Sequence, residues 1–123
     1  MKVLSIEQMR QLKELGVDVK PKKMCLMYTS DSSDNYYLKY GESTCEDDIA
    51  SFSLQDIIEL LPMSITVNSV KHWFCVSPNC LLTEFQVMYV DGDNSYNIKK
   101  QNKSSLQASY EMLLWVIENG YLK

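Results

Sequence analysis

The segment YEMLLWVIENGYLK (Tyr110–Lys123) is the strongest guide to the fold in this sequence. Its apolar side chains recur every three to four residues, which is the period of an α-helix. Further apolar residues lie beside this stripe, so the apolar surface is wider than the roughly 100° typical of a surface helix. The pattern predicts a helix that begins at Ser104 or Ser105, ends at Gly120 and packs centrally against a sheet.

The width of this apolar surface has two interpretations. In the first, the helix lies in the core and is covered on both apolar sides. In the second, the side that carries Trp115 contacts a partner protein or a second copy of the chain, because large exposed apolar patches mark interaction sites. The sequence leaves both interpretations open.

Two earlier helices are predicted from their start and stop signals. Ser5 and Gln8 have the spacing of a capping box, in which each side chain bonds the other residue's backbone N–H. Gly16 suits the left-handed conformation that ends many helices. A second helix is expected to start after Ser53 and to end at Pro62, since proline interrupts helical hydrogen bonding.

Between the helices lie strand-like runs of apolar, aromatic and β-branched residues. The predicted strands are Lys23–Ser30, Tyr36–Tyr40, Met63–Val67, Val70–Val76, Leu81–Val90 and a short one around residues 95–98. The turns DSSDN, SPNC and DGDN join neighbouring strands directly, which favours antiparallel pairing. We therefore expect one α+β domain over residues 1–123, with an antiparallel sheet of about five strands, three helices and the C-terminal helix central in the core.

Composition narrows the class of protein. The chain has 123 residues, a formal charge of −4 and four cysteines. The negative charge argues against nucleic acid as a partner, because nucleic-acid binders present a basic surface. No signal peptide and no apolar run of the ~20 residues that span a membrane is visible. We expect a cytoplasmic protein with reduced thiols and no membrane partner.

Patterns for metal, cofactor and catalytic sites are weak. DGDNS (Asp91–Ser95) has the alternating oxygen donors of a calcium loop, but Tyr96 and Asn102 stand where that loop needs glycine and glutamate. The cysteines lack the paired spacing of a zinc site. Cys75 and Cys80 flank a predicted turn, and we expect them to be small buried core residues. No catalytic, cofactor-binding or metal-binding residue is predicted.

His72 is the only histidine in the sequence. It alternates with Val70, Phe74 and Val76, which places it on an apolar strand face. This position favours a core histidine that makes one hydrogen bond over a general base. A small enzyme that uses His72 and a cysteine remains an alternative.

Two groups of residues are candidates for binding a partner, in addition to Trp115. The segment GESTCEDD (Gly41–Asp48) predicts an acidic surface loop, which is either simply solvated or able to hold a cation or imitate phosphates. The second group is aromatic. The candidate residues are Glu46, Asp47 and Asp48 in the loop, and Tyr36, Tyr37, Tyr40 and Trp73 on strands. Tyrosine and tryptophan suit interfaces and half-buried strands equally well.

Three blocks of the chain carry a resemblance to a known group of proteins. They are LSIEQMRQLKELGVD, FSLQDIIELLP and SYEMLLWVIENGYL (residues 4–18, 52–62 and 109–122). Together they resemble small uncharacterised proteins of prophage and mobile-element regions in gut anaerobic bacteria. The resemblance implies a phage-type accessory protein in the bacterial cytoplasm, and it implies no site residues because all three blocks are helix signatures.

The expected function is protein binding without catalysis. We expect an accessory or adaptor protein whose partner is an unknown protein or a second copy of the chain, bound through the C-terminal helix or a sheet edge. One alternative is an acidic inhibitor or nucleic-acid mimic that acts through the 42–48 loop. The other is the small enzyme based on His72.

Overall fold

The computed structural model describes residues 2–22, 24–30, 36–43, 45–78, 83–92 and 98–122. Its helices are α1 (Ile6–Glu14), α2 (Leu54–Leu60) and α3 (Ser105–Glu118). Its strands are β1 (Cys25–Ser30), β2 (Tyr36–Gly41), β3 (Ile49–Ala50), β4 (Ser64–Val67), β5 (Val70–Pro78), β6 (Phe85–Val90) and β7 (Ile98–Asn102). The predicted DSSDN loop, Cys80, and residues 93–95 of the calcium-like segment lie outside the described residues.

The strands form two antiparallel sheets, with the orders β2-β1-β3 and β4-β5-β6-β7. The α+β class and the antiparallel pairing are confirmed, whereas the expectation of one sheet of about five strands was wrong. The reason is β3, which has only two residues and shows no alternation in sequence. It pairs back onto β1 and completes a first sheet before the chain reaches β4. The sheets belong to two compact units, Met1–Ser53 and Leu54–Lys123; a single domain over the whole chain stays a prediction.

In the first unit, α1 begins as its sequence predicts. Ser5 Oγ accepts a hydrogen bond from the Gln8 backbone N–H at 3.2 Å, and Gln8 Oε1 accepts one from the Ser5 N–H at 2.9 Å. Gly16 follows the helix with a φ of 93°, the left-handed conformation that glycine adopts without strain. Met9 and Leu12 are fully buried, so α1 contributes one apolar side to this unit's core.

In the second unit, α3 packs on β6, β7 and α2. Ser104 caps the helix by accepting a hydrogen bond from the Gln107 N–H at 3.2 Å. Six helix residues are buried, and they are Ala108, Ser109, Tyr110, Met112, Leu113 and Val116. The predicted central position of the C-terminal helix is therefore confirmed for the core of this unit.

The connection between β5 and β6 differs from the prediction. Pro78, which belongs to the predicted SPNC turn, is instead the last residue of β5 and pairs with Phe85. Phe74 N–H donates to the Met63 carbonyl on the β4 side, and by alternation the nitrogen of Pro78 also points away from β6. Proline is tolerated there because it needs no N–H for pairing with β6. Asn79 and Cys80, the rest of the predicted turn, lie outside the described residues.

Candidate functional site

The outer strand β2 leaves one edge of the first sheet open. β1 pairs with β2 on one side and with β3 on the other. Beyond β3, the Ala50 N–H donates to the Val19 carbonyl at 2.8 Å, so the backbone at Val19 covers that side. Among the described residues, no strand lies beside β2. β2 therefore presents an open edge.

The register identifies the backbone groups at this open edge. Ser51 N–H donates to the Leu26 carbonyl at 3.1 Å, so the polar backbone groups of Leu26 point toward β3. In an antiparallel pair these groups alternate in direction, and those of Met27 therefore point toward β2. Met27 pairs with Lys39, whose backbone is thus engaged with β1. By the same alternation, the N–H and C=O groups of Tyr36, Leu38 and Tyr40 point away from the sheet.

The side chains on β2 are unusually exposed for apolar and aromatic residues. Tyr37 is 49% exposed, Leu38 42% and Tyr40 66%. Tyr36 is half-buried, and the guanidinium carbon of Arg10 lies 4.8 Å from its ring centroid, a distance typical of a cation–π contact. The structure thus brings the three predicted tyrosines together on one edge strand. We call this strand, with its outward backbone groups and exposed side chains, the β2 edge.

Trp73 does not belong to this group. It lies on β5 in the other sheet, 47% exposed, with Lys71 Nζ 5.6 Å from its ring centroid. Alternation places Trp73 on the strand face opposite to His72. Trp73 is thus an aromatic residue on an exposed strand face that also carries a positive charge.

His72 is buried in the second sheet. Its Nδ1 lies 3.0 Å from the Val70 carbonyl, and it pairs across the strands with buried Ile65. A carbonyl oxygen only accepts hydrogen bonds, so Nδ1 carries the proton. Cys75 is half-buried, not buried as expected, and lies three residues further on, which directs it to the opposite face of β5. The sheet thus separates His72 from this thiol.

The acidic loop was expected to be solvated, but its residue Asp48 is buried. This residue is only 3% exposed. Its Oδ2 accepts hydrogen bonds from Ser43 Oγ at 3.0 Å and from the Cys45 N–H at 3.2 Å. Aspartate often closes a turn in this way, by accepting from nearby backbone and hydroxyl groups. Glu46 and Asp47 are exposed, so only these two carboxylates of the predicted acidic group lie on the surface.

Trp115 lies in a shallow groove between α3 and β7. The groove has a volume of about 200 Å³ and is lined by Lys100, Glu111, Leu114, Trp115 and Glu118. The indole of Trp115 is half-buried and stacks on Tyr121, with ring centroids 5.6 Å apart and an interplanar angle of 19°. We call this feature the α3–β7 groove. The second apolar side of α3 is thus covered at Met112 and Val116 and open to solvent in part at Trp115.

One carboxylate oxygen of the α3–β7 groove has no hydrogen-bond donor among the described residues. Glu111 Oε2 is shielded from solvent, and no group in the described part of the chain donates a hydrogen bond to it. A shielded oxygen without a donor costs free energy, about 1–3 kcal/mol or more when the group is charged. The sequence prediction named Trp115 but missed the charged residues around it. The spacing of Glu111, Trp115 and Glu118 was a visible signal, because residues at i, i+4 and i+7 share one side of a helix.

The described residues hold no group of three or more histidine, cysteine or acidic side chains arranged to bind a metal ion. Within the same residues, no helix has both the length and the apolar character needed to cross a bilayer. Comparison with known proteins gave no significant match to any protein-family model, curated protein or solved structure.

Proposed function

We propose that this chain is a non-catalytic accessory protein that binds a partner protein by adding a strand to the β2 edge. The observation that carries the proposal is an outer strand with exposed Tyr37, Leu38 and Tyr40 and no neighbouring strand in the described part of the first sheet. The proposed setting is a phage-type protein of the bacterial cytoplasm. Its support is the resemblance of the three helix blocks.

An edge of this kind favours strand addition for two reasons. First, the outward N–H and C=O groups of Tyr36, Leu38 and Tyr40 are a template for another strand, and natural edge strands usually block such a template with charges, proline or a bulge. Second, tyrosine and leucine side chains pair well across strands, and each pair contributes about 0.2–1 kcal/mol relative to alanine. Each backbone hydrogen bond adds about 0.5–1.5 kcal/mol.

The simplest partner is a second copy of the chain. Two β2 edges related by a two-fold axis pair antiparallel, and each copy then contributes the same residues to the interface. The alternative partner is an extended segment of a different protein, which uses the same backbone groups. Both partners require the Leu38 N–H to be available.

The test uses two substitutions at Leu38 and a measurement of molar mass by light scattering over a hundredfold dilution. Leu38→Pro removes the outward N–H without removing a hydrogen bond to β1, whereas Leu38→Ala removes only the side chain. We expect a native dimer that Leu38→Pro abolishes and Leu38→Ala weakens, because proline is tolerated at an edge but cannot donate to a new strand. Circular dichroism of both variants serves as the control for folding.

The outcomes distinguish the candidate partners. A dimer that survives Leu38→Pro contradicts pairing through the β2 edge. A native chain that stays monomeric excludes the second copy and leaves the foreign strand. The measurement is repeated at high salt, because association through Glu46 and Asp47 would weaken with ionic strength and pairing at the β2 edge would not.

A further inference from the structure

We infer that the α3–β7 groove binds the guanidinium group of an arginine side chain presented by a partner protein. This inference concerns the second unit and does not depend on strand addition at the β2 edge. It follows from the size of the groove, the order of its side chains and its charge.

The size of the groove fits one side chain. Its volume of about 200 Å³ is below the ~300–1,000 Å³ of sites that enclose small-molecule ligands and cofactors. Leu114 and Trp115 supply apolar surface in the groove, which suits the aliphatic stem of a long basic side chain. A single inserted side chain therefore suits this groove better than a whole small molecule.

The order of side chains along α3 places an aromatic ring between two carboxylates. Glu111 lies about one turn before Trp115, and Glu118 about one turn after it. With a rise of about 1.5 Å per residue, the two glutamates are about 10 Å apart along the helix axis. The stacking of Trp115 on Tyr121 holds the indole in place. This arrangement offers a cation an aromatic face with a carboxylate on either side of it.

The charge of the groove favours a cation. Two glutamates and Lys100 line it, so the lining residues carry a net negative charge. The carboxylate of Glu111 attracts a cation strongly, because its Oε2 is shielded from water and has no donor among the residues described. Electrostatic attraction is stronger in such a partly desolvated position than in bulk water.

A guanidinium suits the groove better than an ammonium. It is planar, stacks on aromatic rings, is more weakly hydrated and carries five N–H donors. It can therefore lie against the indole and donate to a carboxylate at the same time. An ammonium is a compact, strongly hydrated charge that gains less from the aromatic surface.

The test is a titration with N-acetyl-L-arginine amide, which carries one positive charge and no carboxylate. The chain has two tryptophans, Trp73 and Trp115, and their indole N–H signals are separated by NMR and assigned with Trp73→Phe. We expect a saturable shift of the Trp115 signal with a dissociation constant of about 1 mM, as suits a ligand of this size. The Trp73 signal should not move, because Lys71 lies beside that ring.

Matched controls separate a specific site from general attraction to an acidic protein. The neutral analogue N-acetyl-L-citrulline amide should leave the Trp115 signal unshifted. Glu111→Gln keeps the shape of the side chain and should weaken arginine binding about fivefold or more, whereas Glu14→Gln on α1 should not change it. Leu38→Pro should bind the probe as the native chain does, which keeps this result separate from the β2 edge.

Three outcomes would overturn the inference. They are the absence of a saturable shift at Trp115, an equal shift with the citrulline analogue, and an unchanged dissociation constant in Glu111→Gln. For the last outcome, the two-dimensional NMR spectrum of Glu111→Gln must match that of the native chain outside the groove. This control shows that the variant has kept the native fold.

Discussion

Two outer strands, β2 in the first sheet and β7 in the second, are built from different residues. β2 has the sequence YYLKYG and exposes Tyr37, Leu38 and Tyr40. β7 has the sequence IKKQN and exposes Lys99 and Gln101. Lysine on an edge strand discourages pairing with another chain, because its charge would be desolvated in a new sheet. β7 therefore carries an exposed lysine, whereas Lys39, the lysine of β2, is half-buried.

The second sheet and β2 also differ in how many of their residues are buried. The second sheet packs against α3, whose Leu113 and Val116 are fully buried, and its strand β6 contributes buried Val87 and Tyr89. On β2 no residue is buried. Tyr89 of the second sheet therefore stabilises a core, whereas Tyr37 and Tyr40 on β2 remain exposed.

The difference in burial between α3 and β2 predicts a difference in stability when each is mutated. Leu113→Ala should lower the free energy of unfolding by about 2–5 kcal/mol, because it removes a fully buried side chain and leaves a cavity. Tyr40→Ala should change it by no more than about 0.5 kcal/mol, because the tyrosine is mostly solvated. Urea denaturation followed by circular dichroism measures both. A similar loss in the two variants would contradict the distinction between core and edge.

A second prediction compares native Tyr89 with phenylalanine at high pH. Burial raises the pKa of Tyr89 well above its ordinary value of 10.0, so the folded chain keeps this proton after the unfolded chain has released it. Stability from this group is complete below pH 10 and falls above it, by about 1.4 kcal/mol per pH unit. Tyr89→Phe should remove that part of the slope.

The control for this measurement lies at neutral pH. Tyr89 Oη donates to the Pro62 carbonyl at 2.7 Å, so Tyr89→Phe should lose about 1 kcal/mol there. Between pH 7 and 9 the difference between the two chains should be constant, since no proton is released from Tyr89 in either state. Burial also raises the pKa of Tyr28 and Tyr110, so part of the slope must persist in the variant. Identical slopes above pH 10 would contradict the prediction.

A substitution at Lys99 tests whether this lysine prevents β7 from pairing with another chain. Lys99→Tyr replaces an exposed lysine and should alter the free energy of unfolding by no more than about 0.5 kcal/mol. It should nevertheless create new self-association, because it removes a charge from an edge strand. The measurement is molar mass against concentration, in the Leu38→Pro background so that the β2 edge cannot contribute.

Lys13→Tyr on α1 is the matched control, since it introduces the same exposed ring on a helix. Association in both variants would attribute the effect to a surface tyrosine in general. If neither variant associates, Lys99 is not the residue that prevents β7 from pairing with another chain.

Elements with local signals could be predicted from the sequence. The capping box of Ser5 and Gln8 and the left-handed Gly16 appear in the structure as predicted. Such signals lie within a few residues of one another, so one turn of chain is enough to express them. The three tyrosines of β2 were likewise identifiable from alternation within a single strand.

Which strands share a sheet, and which groups meet across elements, depended on tertiary contacts. The pairing of the two-residue β3 with β1 created two sheets and left β2 outermost. The loop's own fold buried Asp48, and the packing of α3 on β7 brought Lys100 beside Glu111 and Trp115. These arrangements depend on contacts between residues that are distant in sequence or on how a loop closes. Periodicity and spacing carry no information about such contacts, because many registers satisfy the same local pattern.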